Sequence, residues 1–152
     1  MQPTAVRSGH GYKDHERFIN RTIRDWAAAN GIQVSDRGAI PKTVRADWIA
    51  AHQGLNNQVL WHSLIRDGAV TGKWVRMVEV ICYRCAGVHT HGGNLGTRTQ
   101  QHRMAHCTGE YAVGGGYYID DALPVDENEL AMVEANTRLD EVRVITRGNA
   151  PG

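Results

Sequence analysis

Residues 22–40 read TIRDWAAANGIQVSDRGAI, and Pro41 follows at once. The front of this stretch continues an apolar stripe set by Phe18, Ile19, Ile23, Trp26 and Ala27 at three- and four-residue spacing, which predicts an amphipathic helix over 14–30. Arg17, Arg21 and Arg24 lie mostly off that stripe. Gly31 is placed to take the left-handed conformation that ends a helix. Residues 33–40 are too polar and too short for another helix. Pro41 can open one, because the first helical position needs no hydrogen-bonded amide, and Val44, Trp48 and Ile49 give it a short apolar face. Two such small helices bury only a thin core, so the tryptophans are expected to do much of the packing.

At the centre of the connection sits Arg37-Gly38. An arginine beside a glycine can lie flat in a DNA minor groove, since no side chain blocks the backbone's approach. Narrow A·T-rich grooves have a strong negative potential that draws in such a cation. The helix start near Pro41 offers a phosphate contact, with Lys42 and Arg45 beside it and Arg21 and Arg24 on the preceding helix. The alternative for Arg37 is plain solvation of a tight turn.

The ordered set Ile23-Arg24-x-Trp26-Ala27-x-x-Asn30-Gly31, then Val34-Ser35-x-Arg37-Gly38-x-Ile40-Pro41-x-x-Val44, closely resembles the C-terminal DNA-binding domain of the actinobacterial nucleoid-associated xenogeneic silencers. The resemblance spans about 14–52. It implies A·T-rich DNA as partner, with Arg37 and Gly38 in the positions of an Arg-Gly-Arg hook that enters the minor groove. Ala39 stands where the second hook arginine would be. The family's N-terminal dimerisation domain has no counterpart in this sequence, so filamentous bridging is not implied.

Charge is distributed unevenly. Residues 1–52 sum to +3, 53–109 to +4 and 110–152 to −6, within a net charge of +1. A basic front suits a polyanion. Asp120, Asp121, Asp126, Glu127, Glu129 and Glu134 make the tail acidic. They read as a solvated helix with acids near its N-terminus, or as a face for a basic protein partner. No run has the apolar length of a membrane span and the start lacks a signal-peptide core, so a cytoplasmic, nucleoid-associated protein is expected.

The three cysteines are too few and odd in number for a closed disulfide framework. They belong to the run Cys82-x-x-Cys85, His89-x-His91, then His102-x-x-x-His106-Cys107. Cys-x-x-Cys offers two thiolates to one tetrahedral ion, and thiolate softness favours zinc over magnesium or calcium. Cys107 is the third ligand on this reading, and the fourth is His91, with His102, His106 and His89 as alternatives. The cluster resembles small actinobacterial and actinophage zinc-binding modules with Cys-x-x-Cys, His-x-His-Gly and His-Arg-x-Ala-His-Cys motifs. An HNH-like nuclease would pair a histidine base with a metal near phosphate. However, Asp and Glu are absent between Cys82 and Gly109, and a metal saturated by thiolates has no open position.

The expected organisation is α+β: an arm over 1–13, a helical DNA-binding unit over 14–53, and a zinc-stabilised β-rich unit over 54–152 ending in a helix. Within the last unit a helix is predicted over 58–67, strands over 74–81, 117–119 and 141–145, and a helix over 127–136. The function expected is DNA binding, as a regulator or as a competitor of a host silencer, with no enzymatic role. A phage structural or host-interaction module and a zinc-dependent nuclease are the alternatives.

Overall fold

In the computed structural model, which describes residues 12–68, 71–105, 107 and 115–148, helix α1 (Tyr12–Ala29) buries Ile19, Ile23 and Ala27 along one stripe. It ends where the sequence calls for an end. The amide of Gly31, at φ +71°, bonds to the Ala28 carbonyl at 3.2 Å, and the amide of Ile32 reaches the Ala27 carbonyl at 2.8 Å. These paired bonds satisfy carbonyls that would otherwise be left open at the helix terminus. Helix α2 (Lys42–Ala51) starts one residue later than the proline-first reading, with Pro41 as its N-cap residue and Val44 and Trp48 buried. The arm expected over 1–13 lies mostly outside the described residues, and α1 is already helical at Tyr12.

Five strands follow: β1 (Asn57–Arg66), β2 (Trp74–Ile81), β3 (Val88–Gly93), β4 (Gln101–Met104) and β5 (Gly116–Asp120), and then helix α3 (Glu127–Gly148). They form one mixed sheet in the order β3-β2-β1-β5-β4, so the α+β class holds. The segment 58–67, expected as a helix, falls in the central strand β1 as far as Arg66. Its apolar doublets at Leu60-Trp61 and Leu64-Ile65 imitate helical spacing for two reasons. A bulge between Val59 and Trp61 sets two successive residues against one on β2. Both faces of the strand are also covered, so no polar alternation marks it.

The two sheet faces carry different cargo. Strand β2 turns Trp74, Arg76, Val78 and Val80 to one side, as the two-residue period of a strand requires. There Trp74 and Leu64 pack with Met132 of α3. On the other side Ile81 joins Ile19, Ile23, Val44 and Trp48 in the core of the two N-terminal helices. Trp61 meets Phe18 edge-on and stacks with His15, whose Nε2 lies 2.6 Å from the Glu79 carboxylate.

The strand predicted over 141–145 is instead part of α3, a helix of 22 residues. No glycine or proline breaks 127–145, and a helix satisfies its own backbone groups where a strand would need a sheet edge. None of the helices in the described residues is long and apolar enough to cross a membrane.

Candidate nucleic-acid interface and metal cluster

The loop between α1 and α2 is held from below by Arg24. Its Nε donates to the Ser35 carbonyl at 2.8 Å and its Nη2 to the Gly38 carbonyl at 2.5 Å. These carbonyls flank Arg37, so one guanidinium fixes both sides of the loop apex. Gly38 has φ +85°, and a Cβ built there would meet nothing within 4 Å. The backbone conformation thus favours glycine, and the space above it is open. Arg37 itself is exposed. An open groove runs along α1 to this apex, lined by Arg17, Arg21, Arg24 and Arg37 against Asp25 and Asp36.

The other expected phosphate contacts divide. Arg21 and Lys42 are exposed, and Lys42 stands in the first turn of α2, where no acidic residue competes. Arg45 is turned inward, its Nη1 donating to the Ala86 carbonyl at 3.1 Å.

The metal-ligand candidates converge elsewhere. Strands β2 and β3 form a hairpin whose turn, residues 82–87, is the Cys-x-x-Cys knuckle, closed by a bond from the Cys82 amide to the Gly87 carbonyl at 2.7 Å. The side-chain donors of Cys82, Cys85, His89 and Cys107 all lie within 4.8 Å of one another. Cys82 and Cys107 sulfurs are 3.6 Å apart, and His89 Nε2 stands 3.2 Å from Cys85 Sγ and 3.8 Å from Cys107 Sγ. Ligand edges of roughly 3.5–3.8 Å are what a tetrahedron with Zn–S of about 2.3 Å and Zn–N of about 2.0 Å demands. These residues therefore fit a metal ion.

Register selects the histidine. His89 pairs with Val80 and His91 with Val78, so both face the same side of the sheet. His91 is one strand repeat farther from the knuckle, about 6.7 Å. His91, the first choice from sequence, is buried and bonds through Nε2 to the Tyr117 hydroxyl. His102 pairs with Tyr118 on the exposed face of β4. His106 lies outside the described residues.

The thiols are unequal. A hydrogen bond from the Cys85 thiol pulls Cys82 down to about 3, against the opposing effect of burial. Holding that hydrogen bond, together with burial, pushes Cys85 up, and burial pushes Cys107 up. One thiolate shared by neighbouring donors is the arrangement a soft dication completes, displacing the remaining protons.

A third cluster has no counterpart in the expectations above. Arg76 is buried on β2 and makes a two-pronged ion pair with Asp121, the Nη2–Oδ1 arm at 3.2 Å. Arg98 bonds to both oxygens of Glu129, at 2.9 and 2.6 Å, and Arg76 Nε donates to His62 Nδ1 at 2.7 Å. The charge pattern places Asp121 and Glu129 on a solvated acidic tail; both carboxylates are in fact buried, and Glu129 is 0% exposed. Asp126 caps α3 by accepting from the Glu129 amide at 2.8 Å. The spacing Asp126-x-x-Glu129 matches a capping box, but the glutamate turns inward to the arginines. One sequence signal was available. Arg76 interrupts the apolar alternation Trp74-x-Arg76-x-Val78-x-Val80, and a charge on a buried strand face needs a partner.

Two helices joined by a loop with an exposed arginine thus open on a groove lined by more arginine than aspartate. Residues 16–51 match the family model of the Lsr2 DNA-binding domain, spanning most of α1, the loop and α2. No curated protein and no solved structure matches the chain. Over residues 16–51 the chain is thus similar to a DNA-binding domain, which supports a DNA-binding protein, and its α+β fold carries a Cys/His cluster that could hold a metal ion.

Proposed function

We propose that this protein binds A·T-rich duplex DNA through the minor groove, with Arg37 as the inserted cation, and that zinc at Cys82, Cys85, His89 and Cys107 is structural. The observation that carries the DNA reading is the clamp of Arg24 on the carbonyls of Ser35 and Gly38. It presents Arg37 on a loop whose shape is set before DNA arrives, which lowers the ordering cost of binding. Arg21 and Lys42 supply phosphate contacts on either side, while Arg24 and Arg45 act by holding protein carbonyls. With one hook arginine in place of two, the protein acts as a regulator, or as a competitor for sites of a host silencer, at the nucleoid.

The metal reading is supported by a three-sulfur, one-nitrogen set of the size a tetrahedral ion would need. A closed set favours a folding role over catalysis. The helical unit at 14–53 and the zinc-bearing unit at 54–152 then divide the labour between reading DNA and supporting the reader. Titration of A·T-rich and G·C-rich duplexes over a range of salt tests the first claim. Equal affinity for the two duplexes at every salt concentration rejects groove reading. Elemental analysis tests the second, with about one zinc per chain expected for a single tetrahedral site. His89→Ala should release the ion and His91→Ala should retain it; the reverse result moves the fourth ligand to His91.

A further inference from the structure

The knuckle that brings Cys82 and Cys85 to the metal cluster is also a wall of the DNA-reading helices. Tyr83, between the two cysteines, packs against Trp48 of α2 with ring centres 5.4 Å apart, and it stacks on His52 at 5.0 Å and 14°. Ala86 is buried in the same core as Ile19, Ile23, Val44 and Trp48, and its carbonyl takes the hydrogen bond from Arg45. Sulfur thus lies on one side of this turn, and the floor of α2 on the other.

The turn is also strained. Ala86 has φ +57°, a left-handed conformation that residues with a Cβ rarely adopt. It is held by a hydrogen bond that its backbone N–H donates to the Cys82 carbonyl at 2.8 Å. A strained residue persists only where its surroundings over-determine it. Here the over-determination has two sources, the packing of α2 from above and the convergence of the ligands from below.

We infer that metal binding at the Cys82/Cys85/His89/Cys107 cluster and DNA binding by α1, α2 and their loop are thermodynamically linked through residues 82–87, so that the protein is a metal-responsive DNA binder. This rests on the proposed DNA and zinc readings. A metal that closes the knuckle fixes Tyr83 and Ala86, and with them the seat of α2, before DNA arrives. DNA must then raise metal affinity by the same factor, since linkage between two ligands is reciprocal.

The test uses the full chain. Its affinity for an A·T-rich duplex is measured with zinc bound and after chelation. Zinc affinity is measured against a competing chelator, with and without saturating duplex. Loss of zinc should weaken DNA binding by roughly 5- to 100-fold, and duplex should tighten zinc by the same factor, within the range usual for coupled sites. Should the chelated protein unfold, Tyr83→Leu separates a local link from general stabilisation. This variant keeps every ligand and an apolar side chain, and it should still take up one zinc and bind duplex. The tightening of zinc by duplex should shrink several-fold compared with the parent chain. Full coupling in Tyr83→Leu overturns the route through the knuckle, and equal DNA affinity with and without zinc overturns the link itself. Failure to take up zinc removes the metal reading and the link together, whereas failure to bind duplex removes the DNA reading and the link. The three failures are therefore distinguishable.

Discussion

Arg37 and Arg76 are the same residue type in opposite settings. Arg37 is exposed at the apex of a loop whose backbone is fixed by another arginine. Arg76 is buried on β2, bound to Asp121 and to His62, with Glu129 at 3.6 Å. The first leaves its charge available to a polyanion; the second uses it up inside the protein. A positive charge is thus left available where its neighbours are backbone carbonyls and solvent, and becomes a structural group where its neighbours are carboxylates. Net charge by region does not separate the two. The middle of the chain is the most basic segment by sequence, yet Arg76 and Arg98 there are committed to the acidic segment that follows.

The largest effect should come from the buried pair. Glu129→Ala leaves Arg76 and Arg98 facing a vacated buried carboxylate, and a broken buried ion pair costs about 3–5 kcal/mol. Urea denaturation should show this loss, while Arg37→Ala should stay within about 0.5 kcal/mol of the parent, as exposed substitutions do. If the two variants are equally stable, the contrast between the settings is wrong.

The same region should fail in acid. Burial, reinforced by Arg76, lowers the pKa of His62 below its usual value. A depressed histidine contributes stability above its unfolded value, near 6.5, that is lost as pH falls through the folded one. Burial acts to raise Glu129, but the hydrogen bonds from Arg98 and the Gly96 amide, with the charges of both arginines, leave it below the usual carboxylate range. Its contribution is present above the unfolded glutamate value and is lost as pH falls through the folded one. Thermal melts should therefore decline in two stages, first below about pH 6.5 and again below about pH 4.5, where the reference histidine and glutamate titrate. In Glu129→Ala the second stage should be smaller.

At the DNA-binding end the expected effects are on affinity. Arg37→Ala should weaken binding to an A·T-rich duplex by about 1–3 kcal/mol and narrow its margin over a G·C-rich one. An Arg37→Ala protein that keeps its full A·T preference sinks the groove assignment. Ala39→Arg should do the opposite, tightening A·T-rich binding more than G·C-rich binding.

The smallest effects distinguish a contact from a clamp. Lys42→Ala should weaken all duplexes alike and reduce the slope of log affinity against log salt by about 0.9, the share of one phosphate. Arg24→Gln should weaken A·T-rich binding with the slope unchanged, because its guanidinium holds the carbonyls of Ser35 and Gly38. A slope change in Arg24→Gln would return that residue to the phosphate contacts.

Features encoded by neighbours along the chain are legible in the sequence alone. The α1 stripe, the Gly31 terminus, the Arg37-Gly38 loop and the strand at 74–81 each depend on a local period or on one residue's backbone freedom. The thiols are legible in the same way, because Cys-x-x-Cys is a turn-sized motif. Tertiary structure decides what depends on pairing between distant segments. The run 58–67 is a strand because a bulge and two covered faces place it at the centre of a sheet. His89 and not His91 meets the thiols, since the register of β3 on β2 puts it one repeat nearer. Arg45 turns to Ala86 because the knuckle packs under α2. Asp121 and Glu129 are interior because α3 lies over Arg76. A sequence states which charges, rings and thiols a chain owns and how they repeat along it. Which of them meet is set by register and packing between strands and helices far apart in sequence.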